Sequence, residues 1–245
     1  MRSTWHELET YLRDFMGRLV ELPRAIVIVS GHWEETKPTV NASARPGLLF
    51  DYEGFPDYTY ALTWPAPGEP RLAARMRALL GEAGIDSAED TKRGWDHGVF
   101  VPMKVILPNA DIPVVQLSLQ QGMDPARHLA IGRALTPLRH DGVLIIGSGQ
   151  TYHNMRGFSV GRSHGDPRAE AFDSWLRLQL ANPVTRETAL THWEKAPGAR
   201  YAQPHEDHLL PLMVVAGAAA GEQGHVDFHG HALGKPLSGF RFGNF

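Results

Sequence analysis

Residues 25–33 read AIVIVSGHW, and this stretch decides how the rest of the chain is interpreted. Five consecutive apolar residues, most of them β-branched, are typical of a strand that is buried on both faces of a sheet. In open α/β sheets, ligands bind beside the carboxyl ends of such strands. We therefore predict that His32 lies just past the end of a central strand, where it could contact a ligand.

The segments around this strand alternate between helical and extended patterns. Further strands are predicted at residues 114–119, 143–146 and 237–242, and helices at residues 5–19, 70–84, 125–140, from Asp166-Pro167, from Asn182-Pro183, and from near His205 to Ala220. Residues 41–68 are rich in Gly, Pro and aromatic side chains and predict a long loop of the kind that tends to be functional. No linker or repeat divides the chain. We predict one α/β domain over residues 1–245, with a mostly parallel or mixed sheet flanked by helices on both faces.

Composition restricts the class of protein. The chain has 245 residues, a formal net charge of -3 and no cysteine. The charge and the lack of basic runs argue against a nucleic-acid partner, and no apolar run is long enough for a membrane span. A chain without cysteine forms no disulfide and no thiolate zinc site. These features, with no evident signal peptide, are compatible with a cytoplasmic protein.

Four of the 13 histidines occupy distinctive settings. His32 follows the central strand, His97 stands in Gly-Trp-Asp-His-Gly, His153 lies shortly beyond the strand at 143–146, and His208 is expected in the first turn of the last helix. Imidazole is the commonest protein metal ligand and transfers protons near neutral pH. Histidines at the ends of separate elements therefore indicate one metal site that folding assembles.

Each histidine also has a purely structural interpretation. His32 could simply close the sheet, the Asp96-His97 pair could be a turn or a carboxylate that fixes a tautomer, and acidic residues before His208 would complement a helix dipole. Eight other histidines are interpreted as surface residues; they are His6, His128, His140, His164, His192, His225, His229 and His231.

Two further motifs are weak. Residues 157–161 match the G-x-S-x-G pattern of serine hydrolases, but the required strand before the serine and helix after it are not predicted. Gly147-Ser148-Gly149 lacks the third glycine and the helix of a dinucleotide fingerprint. Neither motif predicts an active site.

Taken in order along the chain, the motifs resemble the class III extradiol ring-cleaving dioxygenases, and most closely the DOPA 4,5-dioxygenase-like branch. The resemblance runs from about Leu22 to the C-terminus, and its motifs are Ser-Gly-His-Trp-Glu at 30–34, Gly-Phe-Pro at 54–56, Trp-Pro-Ala-Pro-Gly at 64–68, Asp-His-Gly at 96–98, Ala-Asp-Ile-Pro-Val-Val-Gln-Leu-Ser at 110–118, Gly-Ser-Gly with His153-Asn154, and Asp-His-Leu-Leu-Pro-Leu at 207–212.

The resemblance implies an Fe(II) enzyme, with zinc as a substitute in purified protein, that uses O₂ to open the ring of a small catechol-type diol. It implies that His32 and His208 are metal ligands. His153 would be the acid/base histidine and a ligand when zinc is bound, and His97 would orient the substrate. Phe50, Tyr52, Phe55 and Tyr58 could wall the ring pocket, although core packing explains them equally well. A homo-oligomer is compatible with these expectations.

One departure from the family pattern leaves alternatives open. Family members carry a strand and a Gly-His-Gly-Ser-Pro-type loop, with a metal-ligating histidine, before the helix that opens this chain. No such segment lies between Met1 and His32. The expectation is either an upstream start or a lost ligand, for which Glu206 and Asp207 are conceivable replacements, together with an uncovered sheet edge. A zinc-dependent hydrolase and a non-catalytic metal-binding or other binding protein on the same scaffold are the alternative functions.

Overall fold

The computed structural model describes residues 4–158 and 165–243. The helices are α1 (His6–Arg13), α2 (Pro70–Glu82), α3 (His97–Ile106), α4 (Pro125–His140), α5 (Pro167–Ala181), α6 (Arg186–Thr191), α7 (Ala199–Ala202) and α8 (Leu210–Ala218), with 3₁₀ turns at Met16–Arg18, Asp57–Ala61 and Trp193–Lys195. The strands are β1 (Ala25–Glu35), β2 (Thr39–Asn41), β3 (Ala88–Asp90), β4 (Val114–Gln120), β5 (Val143–Ser148), β6 (Gly224–Ala232) and β7 (Lys235–Phe242).

Five strands form a mixed sheet in the order β3-β2-β4-β1-β5. β1 is parallel to both β4 and β5, and β2 is parallel to β3 but antiparallel to β4. β5 lies at an edge of the sheet as the described residues define it. The predicted fold class, an α/β fold with a mixed sheet, is confirmed.

The side chains of β1 alternate between two hydrophobic cores. Val27 and Val29 pack with α2, α4, α5 and α8 on one face of the sheet. Ile26 and Ile28 pack on the other face with α3 and with Trp64 and Trp95, and residues of the opening helix cover this second core. The strand is buried throughout residues 25–30 because successive side chains point to opposite faces and both faces are covered.

A two-stranded antiparallel hairpin, β6–β7, lies apart from the main sheet. β7 was predicted as a closing strand, whereas β6 was not predicted. β6 reads Gly-His-Val-Asp-Phe-His-Gly-His-Ala, in which small or apolar residues alternate with polar ones, although Val226 is its one β-branched residue. This alternation is a signal from which the strand could have been predicted.

Several predicted positions need correction. β1 continues to Glu35, so His32 lies within the strand, at the irregular pairing with β4 between Val29 and Glu34, and not beyond its end. His97 is the first residue of α3 and not part of a loop. α8 begins only at Leu210, where Pro211 fits the first turn, so His208 stands in the turn before that helix.

Two further expectations are also corrected. The helix predicted from Asn182-Pro183 begins at Arg186, because the Asn182 side chain accepts hydrogen bonds from the backbone at Val184 and Thr185 and forms a turn first. His128 is fully buried in α4 and is not a surface residue. The Ser159–Gly161 part of the G-x-S-x-G motif, like His164, lies outside the described residues.

No helix in residues 4–158 or 165–243 is both long enough and apolar enough to span a membrane.

Candidate metal centre

The four histidines singled out from the sequence meet in one place. The ring centroids of His32 and His97 are 3.9 Å apart, and those of His153 and His208 are 3.3 Å apart in a stacked arrangement. The two pairs are joined by His32 and His208, whose Nε2 atoms are 3.2 Å apart. The predicted assembly of histidines from separate elements into one cluster is therefore observed.

Close backbone approach brings the His208 turn onto the sheet. A Cβ atom at Gly31 would lie 2.9 Å from the carbonyl oxygen of Asp207, and a Cβ at Gly149 would collide with the backbone of His208. The backbone N–H of Gln150 donates to the carbonyl of His208 at 3.0 Å. The glycines of the Ser-Gly-His and Gly-Ser-Gly motifs thus allow this contact and do not cradle a phosphate.

The loop that carries His153 is held by α7. The backbone N–H of His153 donates to the carbonyl of Ala202 at 2.9 Å, and the Asn154 side chain donates to the carbonyl of Tyr201 at 2.8 Å. These bonds fix the residues on both sides of the imidazole. His153 therefore has a defined position against His208.

Two carboxylates hold the outer nitrogens of the cluster. Asp207 Oδ2 lies 2.9 Å from Nδ1 of His208. Asp51 Oδ1 lies 2.8 Å from Nδ1 of His97, and Asp51 Oδ2 lies 3.9 Å from Nδ1 of His32. Sequence reasoning missed Asp51, because nothing in the loop at 41–68 distinguishes it except the general expectation that a long loop is functional.

Asp96 does not fix the ring of His97. It is fully buried and accepts hydrogen bonds from Ser30 Oγ at 2.7 Å and from Gln116 Nε2 at 2.5 Å. Arg93 bridges Asp96 and the carbonyl of His32, at 3.3 and 3.1 Å. Asp96 precedes α3, and its side chain bonds to Ser30 of β1 and Gln116 of β4. It therefore supports the strands beside His32, whereas Asp51 contacts the ring of His97.

Glu206, one of the two conceivable replacement ligands, faces away from the cluster toward Arg200. Its Oε1 lies 2.7 Å from a guanidinium nitrogen of Arg200. Asp207 is engaged with the Nδ1 side of His208 and so stands behind the imidazole, on the side opposite Nε2. Neither acidic residue faces the point at which the Nε2 atoms of His32 and His208 converge.

The electrostatics of the site favour neutral imidazoles and ionised carboxylates. Burial, with His97 and His208 close by, lowers the pKa of His32 to about 4. Burial and the neighbouring His208 likewise lower the pKa of His153 to about 4. Burial acts to raise the pKa of Asp51 and of Asp207, but hydrogen bonds from His97 and His208 outweigh it and hold both pKa values below the usual range. Neutral imidazoles are the form that binds metals.

The donor set fits a divalent transition metal. Two imidazole nitrogens bound at 2.0–2.1 Å to one tetrahedral ion lie about 3.3 Å apart, which agrees with the 3.2 Å between the Nε2 atoms of His32 and His208. Two groups in the described chain could hold an ion, His32 with Asp51 and His97, and His153 with Asp207 and His208. Each group combines two imidazoles with one carboxylate, but neither contains both His32 and His208, and the carboxylates of Asp51 and Asp207 lie at the Nδ1 atoms of His97 and His208.

A cleft of about 1140 Å³ opens from the cluster and runs along β5 toward α1. His32, His97, His153 and His208 all line it, together with Ser148 and Gln150. The four aromatic side chains that were expected to wall the pocket, Phe50, Tyr52, Phe55 and Tyr58, are not among the residues that line this cleft. Phe50 packs on Phe100 at 5.6 Å, whereas the ring of Tyr52 meets His97 edge to face at 5.6 Å. Phe55 and Tyr58 are exposed.

Comparison with known proteins defines the class. Residues 3–236 match the family described as the catalytic LigB subunit of aromatic ring-opening dioxygenase. The chain belongs to this family, whose members are metal-dependent extradiol ring-cleaving dioxygenases. The predicted resemblance and the predicted class of enzyme are confirmed.

Individual relatives support the same assignment. The 4,5-DOPA dioxygenase extradiol of Beta vulgaris is 43% identical over 198 residues, which are 80% of this chain and 74% of that protein. The protein of the same name from Escherichia coli strain K12 is 34% identical over 85% of this chain and 77% of its own length. A crystal structure of an uncharacterised Escherichia coli K12 protein, 32% identical, superimposes with a TM-score of 0.77 over 95% of this chain and 89% of that one.

Proposed function

We propose that this protein is an Fe(II)-dependent dioxygenase that opens a catechol-type ring beside its two hydroxyl groups with O₂. The observation that carries the proposal is the 3.2 Å separation of the Nε2 atoms of His32 and His208 inside a cluster of four histidines. In this proposal His32 and His208 hold the metal. The family assignment supports a ring-opening reaction on an aromatic substrate.

Bound ferrous iron would supply the redox chemistry that lets O₂ react with an aromatic diol. The donor set is compatible with iron, and it also suits zinc, which would bind without supporting the reaction. The protein itself must place the diol, remove a proton from it and return a proton later. Imidazoles suit both proton transfers because their ordinary pKa lies near neutral pH.

His153 is proposed as the acid/base group. Its ring stacks on the ring of His208 and it lines the cleft, which places an imidazole beside one of the proposed metal ligands, where it could accept a proton from a substrate hydroxyl. The stacked position also allows His153 to act as an additional ligand when zinc is bound. His97, on the other side of His32, is proposed to orient the substrate.

The partners in this proposal are O₂ and a small aromatic diol, in the cytoplasm and without nucleic acid or membrane. The cysteine-free sequence with a net charge of -3 supports this setting. Assembly as a homo-oligomer is compatible with the proposal.

The test is oxygen uptake after anaerobic loading with Fe(II), using a panel of catechols and recording the absorbance of a yellow ring-opened product. We expect uptake and product to rise together with iron and not with zinc. Folded, iron-loaded protein that consumes no oxygen with any catechol would contradict the proposal. Zinc-supported hydrolysis would favour the hydrolase alternative, and a lack of metal binding would favour a binding protein.

A further inference from the structure

We infer that Asp51 is a positioning residue that sets the tautomer of His97, so that the Nε2 atom of His97 reaches the substrate as a hydrogen-bond acceptor. This inference rests on the proposed function for its role in the reaction. The geometry that supports the inference is independent of that function. This geometry consists of the two hydrogen bonds that a single carboxylate oxygen of Asp51 makes to His97.

Oδ1 of Asp51 lies 2.9 Å from the backbone nitrogen of His97 and 2.8 Å from Nδ1 of the same residue. A backbone N–H can only donate, and an ionised carboxylate can only accept. The same oxygen therefore also accepts from the ring, which requires a hydrogen on Nδ1. In a neutral imidazole, a hydrogen on one nitrogen leaves the other with a lone pair.

The position of His97 would allow this lone pair on Nε2 to accept a hydrogen bond from a substrate. The imidazole lines the cleft with its ring 3.9 Å from that of His32, and one third of its side chain (32%) is exposed. An acceptor at this point can take a hydrogen bond or a proton from a diol hydroxyl that has approached His32. The opposite tautomer would present an N–H and could not.

Asp51 is itself held in place by this arrangement. Its bond to the backbone of His97 satisfies the first N–H of α3, where the side chain of Asp96, at the N-cap position, makes no capping bond. The carboxylate therefore links the loop at 41–68 to both the start of α3 and the imidazole. Because one oxygen makes both contacts, an amide oxygen in the same position could preserve them.

The test measures the tautomer directly in the metal-free protein. Imidazole ¹⁵N chemical shifts at a pH at which the rings are neutral distinguish Nδ1–H from Nε2–H, and loss of one set of signals in His97→Gln assigns His97. We expect Nδ1–H in the wild type and in Asp51→Asn, and a shift toward Nε2–H, the form that free histidine prefers, in Asp51→Ala. Glu53→Gln, which neutralises an exposed carboxylate two residues away, should match the wild type.

An unchanged Nδ1–H tautomer in folded Asp51→Ala, or an Nε2–H tautomer in the wild type, would overturn the inference. These outcomes do not depend on the reaction, so they are distinguishable from a failure of the proposed function. With active, iron-loaded protein, Asp51→Ala should lower kcat/KM about 10- to 100-fold, because the acceptor that His97 offers to the diol is lost, with a smaller loss in Asp51→Asn. A purely structural role would instead lower the melting temperature while leaving the tautomer in place.

Discussion

At the scale of single residues, the role of metal ligand and the role of proton-transfer group can be distinguished experimentally. Nε2 of His208 lies 3.2 Å from Nε2 of His32, while the ring of His153 is stacked on a face of the His208 ring. Removing His208 should therefore weaken iron binding. We expect His208→Ala to lower iron affinity in a competition titration with a chelator.

His153→Ala should instead lower turnover and leave iron affinity unchanged. Iron should remain bound, because His32 and His208 are untouched, and turnover should fall by about 100-fold or more, the range of a lost acid/base group. Both variants are measured for iron content and oxygen uptake in the same preparation. Equal loss of iron in the two variants would show that the separation of ligand from acid/base group is wrong.

Asp207 should affect the metal through His208. Its carboxylate fixes a hydrogen on Nδ1 and leaves Nε2 free to bind, the arrangement in which an outer carboxylate raises the basicity of a ligating imidazole. Asp207→Asn should lower metal affinity about 10- to 100-fold. Glu206→Gln is the matched control, since that neighbouring side chain pairs with Arg200 away from the cluster. Equal affinities in the two variants would exclude this role for Asp207.

The sequence identified these histidines but not their carboxylate partners. Each histidine stands in a local motif, and the family resemblance placed all four in one site. Asp51 is 46 residues from His97 and has no local signature, and its contact exists only because the loop folds back over α3. Asp96, which is adjacent to His97 in sequence, was the natural expectation for the same task, yet its side chain turns into the sheet.

At the scale of elements, the central strands could be predicted because burial on both faces leaves continuous apolar runs, and the main helices because burial of one face leaves a helical period. Residues 25–30, 114–119 and 143–146 each form part of a strand, and residues 125–140 form α4 as expected. β2 and β3 have three residues each, too few to display alternation, and α3 begins at a histidine beside an aspartate that resembles a turn. The end of β1 was placed too early because Gly31 and His32 interrupt its apolar run.

The contact between β1 and the turn before α8 gives a prediction of its own. A methyl group at Gly31 would press on the backbone of Asp207 at 2.9 Å and on Nδ1 of His208 at 3.4 Å. Gly31→Ala should therefore displace His208 from His32 and lower metal affinity, with a loss of folding stability of about 1–3 kcal/mol.

The control for Gly31→Ala is Gly81→Ala in α2, where an added Cβ meets no atom within 4 Å. Alanine has the higher helix propensity, so this variant should be about 0.5–1 kcal/mol more stable than the wild type. Denaturant unfolding and metal titration of both variants provide the comparison. Unchanged metal affinity in Gly31→Ala would show that the turn can move without disturbing His208.

At the scale of the whole molecule, two cores enclose the sheet and bury polar groups that must be satisfied internally. His128 in α4 is one of them. It is fully buried, with Nδ1 2.7 Å from the carbonyl of Asp124 and Nε2 accepting from the backbone N–H of Gln120 at 3.1 Å. Both nitrogens are therefore used by a neutral ring, with the hydrogen on Nδ1. A second hydrogen on Nε2 would face the N–H of Gln120.

Burial lowers the pKa of His128, against the opposing effect of the Asp124 carbonyl, so the ring stays neutral in the folded protein at pH values where it is protonated in the unfolded chain. The free energy of unfolding decreases as the pH is lowered wherever the unfolded chain binds more protons than the folded protein. The free energy of unfolding should thus be unaffected by this group above its ordinary pKa of 6.5. Below that value it should decline, by at most about 1.4 kcal/mol per pH unit, until the folded pKa is reached.

His128→Gln removes the titrating ring and isolates its contribution from those of the site histidines, which the two proteins share. Denaturant unfolding from pH 7.5 to pH 5 should show the variant less stable than the wild type at the upper end, because the bonds to Asp124 and Gln120 are altered. The difference should narrow as the pH falls, since only the wild type loses stability through His128. A constant difference across this range would mean that the fold accommodates the imidazolium, and that the buried contacts of α4 rearrange to provide it with a second acceptor.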